Sequence, residues 1–365
     1  MQDFPKLQKQ YDHIIIGYNL ASMSFAYELS KQNQNFVVID AKHLGSSPIK
    51  RLASLEKRVS TRISFTPNFE EDDNETPIWG EITKHEGTPT TFDKGEFKSF
   101  LGFGEKKIQS LDAVSTYCSV ENYVPQLTAE EYWNKILENT ENKIFLDQQV
   151  TDIEYNEEAV SKVVLNGKTN LTGKNFYFFD HFEFLYERMA SEMKKQASQF
   201  AKAKWHSSVN LIIHHNQEPE AWNSDEIYLL MGSKEQPCLG QFTRVNGELV
   251  SRWESFFPSE LTADDEMTGM MVKEIKKQIK RAFKFPEGTK DYEHILVQDR
   301  VYANFEKLTV ENGSLSHFAN LFAFSPLFEL KTGWMQEIRT GIQAAQSVLE
   351  GTSILSASDS PVAPE

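Results

Sequence analysis

The residues of this chain whose types and spacing could do chemistry lie near its start. Gly17, Asn19 and Ser22 follow the apolar run His13 to Ile16, and Asp40 closes a second run, Asn35 to Ile39. A glycine at a strand end permits a sharp turn, and a helix beginning there presents unpaired N–H groups able to receive a phosphate. An acid about 20 residues further on stands where it could accept hydrogen bonds from an adenosine ribose. Asp40 has a second reading, as a polar residue capping the end of its strand. Elsewhere the candidates are fewer. His214 and His215 have no nearby ligand set, which suits a strand-end or surface role, and the acids Glu70, Glu71, Asp72, Asp73 and Glu75 lack the spacing of a calcium loop. No metal site is expected, and no nucleophile-elbow sequence occurs.

The elements needed to position Gly17 and Asp40 can be read from the pattern. A short buried strand, a glycine turn, a helix over 20–31 and a second strand form a βαβ unit of the dinucleotide-binding type. Such a unit uses three glycines: for the turn, for approach of the diphosphate, and for helix-to-strand packing. Only Gly17 is present. The Asn19 side chain takes space where a phosphate approaches, whereas Ser22 is small enough to keep much of the packing role. Further on, Thr128 starts a capped helix, and the stretch from Ile144 to Phe179 reads as a strand re-entering a parallel sheet followed by an antiparallel meander. The span from Phe182 to about Lys204 is helical through much of its length, with no internal Gly or Pro. Trp205 to His215 reads as a strand, more strand-like pieces follow, and Thr262 to Phe283 reads as a second capped helix. Near the end, Leu321 to Phe324 is a strand, and Gly333 precedes a helix whose Trp334, Ile338, Gly341, Ala345 and Val348 trace one face.

This arrangement resembles the FAD-dependent amine oxidase, phytoene desaturase and protoporphyrinogen oxidase superfamily. The resemblance carries Gly17, Asn19 and Ser22 onto the three glycines and Asp40 onto the ribose-binding acid. It sets Gly45 and Ser46, in HLGSSPIKRL, over the paired glycines beside the flavin diphosphate, with Lys50 or Arg51 supplying positive charge. Those basic residues also read as a solvated strip on an acidic protein. At the other end, Phe324 and Ser325 match the family's Gly-Asp pair, so the aspartate is absent, and Gly333 and Trp334 mark the helix that begins near the flavin ring. The implied fold is α/β: an FAD/NAD(P)-binding Rossmann-like domain (1–65, 140–180 and 285–352) interleaved with an antiparallel substrate-side α+β domain (66–139 and 181–284), then a flexible tail over 353–365.

Composition bounds the function. The chain has 365 residues, 53 acids against 38 Lys and Arg, and a formal charge of -15, a balance that repels nucleic-acid backbones. Two cysteines, Cys118 and Cys238, make no disulfide framework, and no window is apolar enough for a membrane span. The expectation is a cytoplasmic protein. Two readings stand side by side: an FAD-dependent oxidoreductase-like protein with a divergent cofactor site and weak or absent FAD, or a non-catalytic descendant of that fold that binds a protein or small ligand. The catalytic residues, the substrate, any protein partner and the oligomeric state are unassigned.

Overall fold

The computed structural model describes residues 6–43, 47–49, 64–67, 82–84, 120–125, 129–189, 191, 194–220, 222, 227–231, 237–245, 247–286, 291–304, 318–325 and 334–349. The chain opens with strand β1 (Gln10–Ile16), helix α1 (Leu20–Lys31) and strand β2 (Phe36–Ile39). β1 and β2 are parallel, with His13 opposite Phe36 and Ile16 opposite Ile39. Such pairing needs a crossover, and α1 supplies it. Three short strands, β3 (Ser64–Pro67), β4 (Ile82–Lys84) and β5 (Val120–Pro125), make a small antiparallel sheet with β5 in the middle.

Helix α2 (Ala129–Thr140) leads into β6 (Ile144–Phe145), which extends the parallel sheet beside β2. A meander follows: β7 (Val150–Tyr155), β8 (Val160–Leu165) and β9 (Thr169–Phe178). β9 has two roles. Its first residues pair antiparallel with β8, and its later ones run parallel between β1 and β15 (Leu321–Ala323). The seven-stranded sheet therefore runs β6-β2-β1-β9-β8-β7, with β15 against the far part of β9.

Alternation along these strands builds a layer on each face. Ile15, Phe36, Val38, Tyr177 and Phe179 meet α1, α2 and the last helix, α6 (Trp334–Leu349). Ile14, Ile16, Val37, Ile39, Phe176 and Phe178 meet the meander and two short helices, α3 (Phe182–Arg188) and α4 (Lys194–Ala201). The span after Phe182 is thus two helices, although it contains no Gly or Pro to divide it. Met189 caps α3 and is fully buried, and Phe200 on α4 lies 4.8 Å from Tyr186 and 5.8 Å from Trp205, centroid to centroid.

The second lobe is a five-stranded antiparallel sheet in the order β11 (Ile227–Met231), β12 (Pro237–Val245), β13 (Glu248–Pro258), β10 (Lys204–His215), β14 (Tyr292–Asn304). Helix α5 (Asp265–Ala282), capped by the Asp264 carboxylate, packs Met271, Val272, Ile275 and Ile279 on Phe242, Trp253 and Phe257. Two segments sit apart from the expected division of the chain. β14 falls within 285–352 yet pairs along β10, because its apolar residues find their hydrogen-bonding edge there. α2 falls within 66–139 yet buries Tyr132, Trp133 and Ile136 against α1, where the Tyr132 hydroxyl lies 2.7 Å from Ser24 Oγ. No described helix is long and apolar enough to cross a membrane.

Candidate functional site

The turn between β1 and α1 is built around Gly17. Its φ of +115° is open to glycine, and a Cβ there would lie 2.9 Å from Asp180 Cβ, so the end of β9 closes against the turn. Asn19 follows as the N-cap of α1. Its Oδ1 accepts from Ser22 N at 2.9 Å and its Nδ2 donates to the Phe179 carbonyl at 2.7 Å. Ser22 Oγ accepts from Asn19 N at 3.0 Å, completing a capping box. The two residues matched to glycines are therefore joined to each other, and Asn19 also ties the helix to the β9 end.

Asp40 is fully buried in its side chain and stands among protein donors. Its carboxylate accepts from Tyr18 N at 2.6 Å and Lys42 N at 2.8 Å, with His181 Nε2 at 3.5 Å. Burial acts to raise its pKa, but the nearby His181 imidazole and the charge and backbone N–H of Lys42 outweigh burial and leave the carboxyl below its ordinary value. The His181 imidazole is correspondingly raised by the Asp40 carboxylate beside it, against the effect of burial. Asp40, Asp180 and His181 hold their ligand atoms within 4.8 Å of one another, a spacing open to a cation. Lys42 already supplies one: its ammonium is 3.6 Å from Asp40 and 3.5 Å from Asp180, and donates to the Tyr18 carbonyl at 2.9 Å.

A further contributor is Glu337, in the first turn of α6. Its carboxyl lies near the start of α1, close enough for the Leu20 backbone N–H and Lys42 to act on it electrostatically. Burial pushes its carboxyl up to about 7, while Lys42 and the Leu20 N–H pull down and Asp180 pushes up. Its placement follows from Gly341, one turn later on α6. A Cβ at Gly341 would be 2.1 Å from the Ala21 carbonyl oxygen, so the helices touch backbone to backbone and the preceding turn of α6 reaches the start of α1.

The remaining expected residues are dispersed. Phe324 is buried in a stack with Phe179 at 5.5 Å and Phe322 at 6.4 Å, close to Phe25 and Tyr177, and its N–H donates to the Phe178 carbonyl. Ser325 follows it, half-buried, and Trp334 is the first residue of α6. Gly45, Ser46, Lys50, Arg51 and Gly333 lie outside the described residues. Sequence reasoning missed Lys42, Asp180, His181 and Glu337. A usable signal existed in the adjacent pair Asp180 and His181 at the end of β9, and in Glu337 one helical turn before Gly341.

Two cavities bear on ligand binding. One of about 110 Å³ is lined by Ile16, Asp40, Gln148, Val150, His181 and Phe184. A larger one, about 560 Å³, opens at the end of the second lobe beside His214, His215, Arg244, Glu248 and Tyr292. Near it, His215 Nε2 is 2.7 Å from Ser251 Oγ, and His215 Nδ1 is 3.5 Å from Asp291. Trp253 Nε1 donates to the same Ser251 oxygen at 2.8 Å, which leaves the serine proton for His215. This has the order of an acyl-transfer triad, but Ser251 has no exposed surface and lies on the face of β13 covered by α5.

No family model matches the sequence, and no curated protein matches it. Solved structures do. An oxidoreductase from Methanosarcina mazei is similar over 93% of this chain and 100% of its own, at 10% identity and a TM-score of 0.57. A geranylgeranyl bacteriochlorophyll reductase-like protein from Thermoplasma acidophilum is similar over 95% of this chain and 80% of its own, at 12% identity and a TM-score of 0.50. At these identities the likeness is one of fold: the chain shares the overall fold of both structures.

Proposed function

We propose that this chain is a flavoprotein-fold protein that works as a ligand- or protein-binding module, without a resident flavin at the β1–α1 turn. The observation that carries the reading is the state of that turn. A dinucleotide diphosphate needs free N–H groups at the start of α1 and room before them. Asn19 N and Ser22 N instead donate to Ser22 Oγ and Asn19 Oδ1. Asp40, the ribose acid by resemblance, is engaged by Tyr18, Lys42 and His181. The residues present do not fit FAD in the family's manner, and no redox step is derived through it.

Two further features support the reading. Phe324 takes the position of the family's Gly-Asp pair and joins a buried aromatic stack, and Tyr18 is buried edge-on to Trp133 with ring centroids 5.5 Å apart. Both act as core filler in a cleft that would otherwise admit a cofactor. The polar cavity at His214, His215 and Arg244 is the open site through which such a module could take a small ligand. The test is purification without added cofactor, then absorbance across the flavin bands and mass analysis of released small molecules. Protein free of flavin is the expected result; near-stoichiometric FAD surviving extensive dialysis overturns it.

A second reading, an oxidoreductase that takes FAD weakly, is favoured by one observation, the cavity beside Asp40 and His181. It predicts saturable binding when FAD is added in excess, with Asp40→Ala weakening it.

A further inference from the structure

Asp40 and the pair Asp180–His181 stand just past the ends of two parallel-sheet strands, β2 and β9, and the fold brings their ligand atoms to one point. The sequence spacing predicts no metal here, because the two segments lie far apart in the chain. Among the described residues, no other three ligating side chains gather as closely. His181 is the telling member. Its Nε2 is sealed from solvent and has no hydrogen-bond partner, lying 3.5 Å from Asp40 Oδ1. That separation is long for a charge-assisted hydrogen bond. It matches two ligands of one tetrahedral ion, which at bond lengths of about 2.1 Å stand about 3.4 Å apart. His181 holds its place with φ +60°, a left-handed backbone that a residue with a Cβ adopts at a cost. Asp180 Oδ1 accepts the His181 N–H at 2.8 Å, which leaves Oδ2 for a cation.

Two carboxylates and a neutral imidazole carry two negative charges, which a divalent ion cancels. Lys42 meets that charge only in part. Its ammonium is 3.6 Å from Asp40 and 3.5 Å from Asp180, and its one short bond goes to the Tyr18 carbonyl at 2.9 Å. The lysine side chain is 39% exposed, so it can swing to solvent. Beside the cluster lies the cavity of about 110 Å³ lined by both Asp40 and His181, with room for a water to complete a four-coordinate shell. We propose that Asp40, Asp180 and His181 form a binding site for a first-row divalent cation such as zinc, with Lys42 as the counter-ion that the metal displaces. One imidazole with two carboxylates selects such an ion over magnesium or calcium, which take oxygen ligands. The site goes beyond the functional reading above and does not depend on it.

The test titrates zinc chloride into the purified, tag-free full chain by calorimetry, for wild type, Lys42→Met and His181→Asn. Asparagine tolerates the left-handed backbone but is too short to replace the imidazole. Wild type is expected to bind zinc saturably. Lys42→Met should bind about tenfold tighter, because a competing positive charge is gone. His181→Asn should bind about a hundredfold more weakly or worse, since even partners that merely support a metal ligand carry losses of that order. Zinc should also raise the melting temperature of wild type and not of His181→Asn, because the ion joins the ends of β2 and β9. Absence of saturable zinc binding in both wild type and Lys42→Met overturns the proposal. So does wild-type affinity in His181→Asn, which would put the metal on other side chains. Should His181→Asn fail to fold, Lys42→Met decides alone, and an affinity no tighter than wild type overturns the proposal. Flavin retained by the wild type defeats the functional reading and leaves the zinc titration to decide as before, whereas a zinc failure in flavin-free protein defeats this proposal alone.

Discussion

At the scale of single residues, burial and partner decide what each polar group can do. Ser251, His215 and Asp291 have the order of a nucleophilic triad, yet the serine is sealed under α5 and its oxygen serves Trp253 Nε1. Burial lowers the His215 pKa, Asp291 opposing it, so the imidazole is held toward its neutral form. Ser251→Ala should destabilise the chain by about 1–3 kcal/mol in urea unfolding, because it strands a buried indole N–H, and wild type should resist labelling by a fluorophosphonate. Fast, stoichiometric labelling at Ser251 would show that α5 opens and the serine reacts. Glu337 carries the pH prediction. Its carboxyl titrates higher in the folded chain than in the unfolded one, so its contribution is complete below the unfolded value and is lost as pH rises through about 7. Melting temperature followed across that range should fall more for wild type than for Glu337→Gln; parallel curves would remove Glu337 as the group responsible. Asp40 has the opposite sign. Its depressed carboxyl stabilises above the unfolded value and the effect is lost as pH falls through the folded one.

At the scale of elements, the contact between α1 and α6 organises the site. It depends on small residues, Ala21, Ser24, Gly341, Ala344 and Ala345, that bring two helix backbones together. Gly341→Leu cannot be accommodated by rotating a side chain, since the obstacle is the Ala21 carbonyl. It should cost about 3 kcal/mol or more, at or above the usual range for overpacking, and should separate Glu337 from Leu20. Thermal unfolding with the Leu20 amide resonance as local probe checks both. An unchanged melting temperature would mean that the helices lie further apart than described. Asn19→Gly, by comparison, keeps a tolerable cap and loses one bond to Phe179, a cost of about 1 kcal/mol in the same assay.

At the scale of the molecule, the parallel sheet is assembled from both ends of the chain. β1, β2 and β9 come from the first half, whereas β15 and α6 arrive after the whole second lobe has been made. A chain ending at residue 317 would lose the strand beside β9 and uncover Phe25, Tyr177 and Phe179 on one face of the sheet. Such a fragment should keep far-ultraviolet helix and strand signal, lose near-ultraviolet aromatic ellipticity and bind a hydrophobic dye. A monomeric fragment with sharp, native-like aromatic signals would argue for an amino-terminal unit that folds alone.

The sequence by itself determined what depends on local pattern. The βαβ unit, the helix over 20–31, the capped helix before Phe283, the meander and the final strand and helix were legible because apolar period and cap residues act over a few residues. So was the loss of two of the three glycines, since Asn19 and Ser22 can be read directly. What the tertiary structure decided were the partners. Whether Asp40 faced a ribose or its own chain depended on Lys42 and on His181, the latter more than a hundred residues away in another strand's end. The membership of β14 followed from a hydrogen-bonding edge offered by β10. Glu337 was one acid among 53 in the sequence. Only the close approach permitted by Gly341 brings its carboxylate to the start of α1, because contact across the fold is set by packing that no local spacing encodes.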